Sequence, residues 1–171
     1  MEAAALLGRA HFGFKSADAR QHYLELYEEL RGLSPPDNAV HDIPTKFGAV
    51  RVCRHGRAGG VPIVLLRGYL STSAMWAHQV TDLAGNFTVY TIDMPGQAGA
   101  SMQSRSLRTP DYCARCIENL FDGLDLTDVV LVGHSYGSWI ATHSVAHLPE
   151  RLSTMTLTDP ASTVARLSAR F

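Results

Sequence analysis

From residue 61 onward the chain alternates short, uninterrupted apolar runs with segments of helical periodicity. The runs fall at residues 61–66, 87–92, 129–132 and 152–157, and the helical patterns at 72–84, 110–124 and 135–148. A strand buried on both faces reads as a continuous apolar run, and such strands alternating with helices make a parallel sheet covered on both sides. The predicted class is therefore α/β. Upstream, residues 17–33 place Tyr23, Leu26, Tyr27, Leu30 and Leu33 at helical spacing, with Ser16 as a cap and Gly32 near the end. Ser34-Pro35-Pro36-Asp37-Asn38 breaks that pattern. Residues 39–45 and 48–55 read as an antiparallel hairpin, and Gly56 to Gly60 as a turn. The expected organisation is an amino-terminal helical extension, 1–38, followed by one α/β domain, 39–171, without internal repeats.

Ligands of parallel sheets bind beyond the carboxyl ends of the strands, where the loops gather. Three strand ends carry unusual loops: Arg67-Gly68-Tyr69-Leu70-Ser71, then Asp93-Met94-Pro95-Gly96-Gln97-Ala98-Gly99-Ala100-Ser101, then Gly133-His134-Ser135-Tyr136-Gly137. All three should open on one edge. The last is a Gly-x-Ser-x-Gly pentapeptide between an apolar strand and a helical pattern. That context predicts a sharp strand-turn-helix with Ser135 at its apex, Gly133 and Gly137 letting strand and helix approach closely. The plain alternative is a serine that merely caps a helix.

Composition changes this picture little. Of 171 residues 46% are hydrophobic and the formal net charge is −1, which gives no electrostatic case for nucleic acid or an anionic membrane surface. Ala3-Ala4-Ala5-Leu6-Leu7, preceded by Glu2, is too short and wrongly flanked for a signal peptide or a membrane span. The three cysteines, Cys53, Cys113 and Cys116, make an odd count that fits free thiols and a cytoplasmic location. Cys113-Ala114-Arg115-Cys116 spells Cys-x-x-Cys but lacks a second ligand pair, so helix packing is the preferred reading over a redox or zinc role.

The order of these features resembles the α/β-hydrolase fold over residues 40–161: a leading hairpin, a strand ending in a glycine turn, a strand ending in Asp-x-Pro-Gly-x-x-Gly-x-Ser, and the Gly-x-Ser-x-Gly elbow. Thr45-Lys46-Phe47-Gly48, Ser73-Ala74-Met75-Trp76, Pro149-Glu150-Arg151 and Asp159-Pro160-Ala161 look like the bacterial carboxylesterase branch similar to naproxen esterases. The resemblance implies Ser135 as nucleophile, and an oxyanion hole made by the backbone N–H groups of Tyr136 and Tyr69, the latter after Gly68. Two fixed backbone donors need no reorganisation as charge develops, and losing one typically costs about a hundred- to thousandfold in turnover. No cofactor or metal is implied; the substrate would be a small-molecule ester or related acyl compound. Where the family usually has His-Gly, this chain has Arg67-Gly68. Its guanidinium could favour a substrate carboxylate near the acyl pocket, or point outward to solvate the loop, and the outward reading is the expectation. Trp76 and Met75 are candidates for the acyl pocket, although large apolar residues on a helix facing a sheet are more often core. His134 is expected to point away from Ser135.

The family's triad runs Ser, Asp or Glu, His along the sequence. Here the chain stops at Phe171, after the sixth predicted strand, so the expectation is that about a hundred residues or more, with cap, acid and histidine, belong beyond it. A complementary carboxyl-terminal hydrolase fragment would then dock against an otherwise unpaired edge, and the isolated chain would be inactive. Asp159 is a low-ranked acid candidate. His143 and His147, on the elbow helix, lie roughly 12 and 18 Å along its axis from Ser135, too far for the base. His11, His22, His41, His55 and His78 precede the elbow and do not occupy the required position. The competing class is a non-catalytic hydrolase-like protein that binds a ligand or partner.

Overall fold

The computed structural model describes residues 14–161 and 163. The Ala3 to Leu7 stretch, His11 and the segment up to Phe171 lie outside them. Helix α1, Ala17–Arg31, starts at Ser16, whose side chain accepts from the Ala19 N–H, and ends at Gly32. Strands β1, Ala39–Thr45, and β2, Gly48–Gly56, form the expected hairpin, paired from Thr45–Gly48 outward. Strand β3 spans Pro62–Leu66, β4 Thr88–Ile92, β6 Val129–His134 and β7 Leu152–Thr158. Between β4 and β6 come the two-residue strand β5, Met102–Gln103, and helix α3, Pro110–Gly123, with Pro110 in its first turn and Thr109 as its cap. Helix α4, Tyr136–Ser144, follows β6 directly.

The single helix expected over 72–84 is instead a 3-10 turn, Ser73–Trp76, followed by a short helix α2, Ala77–Leu83. The reason is at its start: the Ser73 N–H is held by the Asp93 carboxylate at 2.9 Å, and Trp76 turns inward to become buried. Strand β5, which pairs with β2 at Gly48 and Ala49, has no counterpart in the sequence pattern, because two residues carry no periodicity.

The sheet order is β1-β2-β4-β3-β6-β7, with β5 on β2. The pairs β4–β3, β3–β6 and β6–β7 are parallel, whereas β1 and β2 run antiparallel to their neighbours. Alternate side chains of β3 serve opposite faces, as the pleat requires. Val64 and Leu66 join the core under α3 and α4 with Ile117, Leu120 and Ile140, while Ile63 and Leu65 pack with Trp76, Val80 and Val89 under α2. In register, Leu66 lies opposite both Ile92 and Gly133, so the ends of β3, β4 and β6 finish on one edge and the three unusual loops open there together. No described helix is long and apolar enough to cross a membrane.

Candidate active site

Ser135 sits at the end of β6 with φ 51° and ψ −112°, a conformation that a residue with a side chain rarely adopts. The turn is tight because its glycines have neighbours where a Cβ would be. One on Gly133 would meet Gly137 C and Ser138 Cα at 2.6 Å, and one on Gly137 would run into the Leu66 and Arg67 carbonyls of the β3 end. Neighbouring backbone holds the turn in place. The Ser135 N–H donates to Thr158 O of β7 at 2.9 Å, and Ser135 O accepts from the Ser138 and Trp139 N–H groups. The buried Ser138 hydroxyl, bonded to Gly133 O at 2.7 Å and Thr158 O at 3.0 Å, ties helix to strand.

Across from this turn lies the Gly68–Tyr69 loop. The position a Gly68 Cβ would take is 3.7 Å from Ser135 Cβ and 2.9 Å from His134 Nδ1, so only glycine lets the loop come this close. The Tyr69 N–H makes no hydrogen bond among the described residues, and the Tyr136 N–H, in the first turn of α4, is one of the amides a helix leaves without an internal acceptor. The Tyr69 and Tyr136 rings meet edge-on at 5.7 Å, and Tyr136 stacks on Trp139 at 5.5 Å. Burial raises the Tyr136 phenol well above its ordinary range, reinforced by Cys113; the phenol therefore stays neutral. Tyr69 and Leu70, 62% and 71% exposed, form the rim. The arrangement presents one hydroxyl beside two uncommitted amide donors, which is what acyl transfer requires of a backbone scaffold.

The histidines and the acid candidate lie elsewhere. The His134 ring packs against Gly68 and edge-on to Trp76 at 6.5 Å and makes no hydrogen bond to Ser135. His143 packs on Trp139, and His147 Nε2 lies 3.3 Å from Asp111. Asp159 follows β7 exposed and at φ 49°. Trp76, 7% exposed, is packed as a core residue with Ile63, Leu65, Val80 and Val89, whereas Met75 lies at the surface with its sulfur 3.2 Å from Ser71 Oγ. Cys113 and Cys116 are buried faces of α3; desolvation pushes the Cys116 thiol up to about 12.

Arg67 corrects the sequence expectation. Far from pointing outward, it is 2% exposed and lies with its Nε 3.8 Å from Oδ1 of the fully buried Asp93. Nη1 donates to Gly68 O at 3.1 Å and Nη2 to Ala98 O at 2.6 Å. Burial lowers its pKa from the ordinary arginine value, and Asp93 opposes that shift. The physical reason for the inward turn is the counter-ion that β4, the neighbouring strand, delivers at its own end, where two loop carbonyls also face inward. Asp93 is a hub: Oδ1 accepts from the Ser73 N–H, and Oδ2 from Tyr27 Oη at 2.6 Å and the Ala100 N–H at 3.0 Å. The sequence signal for Asp93 was present in the Asp-x-Pro-Gly run; nothing in the sequence pointed to Tyr27 as its partner, or to Ser138 as the tie between helix and strand at the elbow.

The family pattern described as alpha/beta hydrolase fold matches residues 61–169. The chain belongs to the α/β-hydrolase family. Carboxylesterase YbfK of Bacillus subtilis is 25% identical over 148 residues, which make up 86% of this chain and 50% of that protein. The crystal structure of naproxen esterase (carboxylesterase NP) from Bacillus subtilis matches with a TM-score of 0.77 at 26% identity, over 83% of this chain and 50% of the other. The haloalkane dehalogenase DatA of Agrobacterium tumefaciens C58 matches at a TM-score of 0.64 and 28% identity, over 71% of this chain and 41% of the other. The chain is thus similar to bacterial carboxylesterases, and it spans about half the length of the curated relatives it matches.

Proposed function

We propose that this chain carries the nucleophile and oxyanion half of a serine hydrolase that cleaves a carboxylic ester or related acyl compound. The observation that supports this best is Ser135, strained at the end of β6 beside the open Tyr69 amide. In the reaction, Ser135 Oγ loses its proton to a histidine and bonds to the acyl carbon. The carbonyl oxygen takes up the negative charge facing the Tyr69 and Tyr136 N–H groups, and the C–O bond to the alcohol breaks with return of the proton to the leaving oxygen. Water then hydrolyses the acyl-enzyme by the same steps. No described histidine is bonded to Ser135, so this reading assigns the histidine and its acid to groups other than the described histidines, and the chain spans about half the length of the curated relatives. Residue 135 is a serine and not a carboxylate, which disfavours the chemistry of a dehalogenase on this scaffold.

Labelling with a fluorophosphonate tests the reading, because it requires an activated serine. In the full-length protein that contains this sequence, the probe is expected on Ser135, and Ser135→Ala is expected to lower turnover of p-nitrophenyl butyrate by at least about a thousandfold. Absence of labelling, with Ser135→Ala equal to wild type, would favour a non-catalytic binding protein.

A further inference from the structure

The Gly68 carbonyl accepts two hydrogen bonds, from Arg67 Nη1 at 3.1 Å and from Ser71 Oγ at 2.9 Å. A carbonyl oxygen has two lone pairs, so its acceptor capacity is filled. The same peptide plane carries the Tyr69 N–H. In a trans peptide the N–H points opposite to the C=O, and this N–H has no partner among the described residues. Holding the carbonyl on the Arg67 and Ser71 side therefore fixes the direction of the free donor on the other.

Burying a guanidinium is costly, and a buried ion pair can often be replaced by apolar side chains of similar volume without loss of stability. Arg67 is buried all the same. Its Nε has no hydrogen-bond partner among the described residues and lies 3.8 Å from Asp93, so the pair is poorly optimised as a stabilising contact. Its Nη atoms, by contrast, are well spent on the Gly68 and Ala98 carbonyls. A cation on the carbonyl also polarises the amide, which makes its N–H the stronger donor. Asp93 and, through it, Tyr27 and the Ser73 N–H hold this assembly from behind.

We infer that Arg67 is a positioning residue: its guanidinium, together with the Ser71 hydroxyl, locks the Gly68–Tyr69 peptide so that the Tyr69 N–H faces the oxyanion formed at Ser135. The inference rests on the Ser135 reading above. It assigns Arg67 a role in turnover while keeping it out of contact with substrate, which its burial enforces.

The test uses the full-length protein with p-nitrophenyl butyrate, active sites counted by fluorophosphonate labelling at completion, and thermal melting followed by circular dichroism. Arg67→Met is expected to lower kcat per labelled site by about tenfold to a hundredfold, less than complete loss of a donor, with KM changed by less than about threefold. Arg67→Lys keeps a cation opposite Asp93 but cannot hold both carbonyls with one fork, so its melting temperature should recover toward wild type while kcat stays low. Ser71→Ala, on a partly exposed residue, should fold normally and lower kcat by a smaller factor, about threefold to tenfold. Wild-type kcat per site in Arg67→Met would overturn the inference and leave Arg67 a structural residue. Should Arg67→Met not fold, wild-type kcat in both Arg67→Lys and Ser71→Ala would overturn it equally. An unlabelled wild type, or Ser135→Ala with full activity, is the separate result that removes the Ser135 reading and this inference with it.

Discussion

A serine at φ 51° and ψ −112° lies where glycine is at home and a Cβ is not. Such a conformation costs about 1–3 kcal/mol and persists only where surrounding bonds over-determine it. Here those bonds are the Ser135 N–H to Thr158 and the Ser138 hydroxyl to Gly133 and Thr158. The strain can be measured by comparing two substitutions that both remove the hydroxyl. Ser135→Gly should be more stable than Ser135→Ala by about 1–3 kcal/mol in urea unfolding, although both lose the hydroxyl. Equal stabilities would mean that the elbow is not strained. The turn at this residue was legible beforehand, because a glycine two positions to either side of a serine, between a strand and a helix, constrains the backbone through local stereochemistry alone. Arg67 was not, because whether a guanidinium faces water or the interior depends on a counter-ion supplied by another strand.

At the scale of elements, the amino-terminal helix is tied to the site loops by two tyrosines. Tyr27 Oη donates to Asp93, and Tyr23 Oη accepts from the Gly99 N–H at 2.5 Å, so α1 grips the loop after β4 at both ends. Of the apolar stripe that predicted this helix, Tyr27 is buried, whereas Leu26, Leu30 and Leu33 are exposed. The stripe foretold the helix but not its packing: α1 rests on a loop through polar contacts more than on the sheet through apolar ones. Burial and the adjacent Asp93 both raise the Tyr27 phenol far above its ordinary range, so it serves Asp93 as a donor at any working pH. Tyr27→Phe keeps the ring and removes the hydroxyl, leaving one lone-pair site of a fully buried carboxylate empty. A loss of about 1.5–3 kcal/mol in urea unfolding is expected for a bond to a charged group. No change would mean that α1 is an independent appendage, as the 1–38 division suggests at first sight.

For the whole molecule, stability should carry the signature of a histidine buried in its neutral form. His55 of β2 is buried with Nε2 3.3 Å from Asp37, while Arg31 pairs with the same carboxylate. Desolvation lowers the His55 pKa, with the Pro35 and Pro36 backbone opposing and Arg31 acting in the lowering direction. An unfolded histidine titrates near about 6.5. With the folded value below that, the unfolded chain takes up the proton first, so the contribution of His55 is present above about pH 6.5 and fades as pH falls through the folded value. The melting temperature should drop between about pH 7 and 5, and His55→Gln should flatten that slope. An unchanged slope would place the pH dependence elsewhere. The sheet that this core supports exposes much of β7, which is paired only to β6 among the described strands.

The sequence by itself determined the alternation of buried strands and helices, the hairpin that opens the sheet, the common edge on which three loops meet, and the tight turn at Ser135. Those features follow from periodicity and from the stereochemistry of glycine, which act over a few neighbouring residues. The tertiary structure alone decided that Arg67 turns inward, that Asp93 gathers α1, the 3-10 turn and two loops around one carboxylate, that the segment expected as one helix begins as a 3-10 turn over Ser73–Trp76, and that β5 exists. Each of those depends on polar partners brought from distant parts of the chain, and the energy of a buried charge is set by which partners arrive.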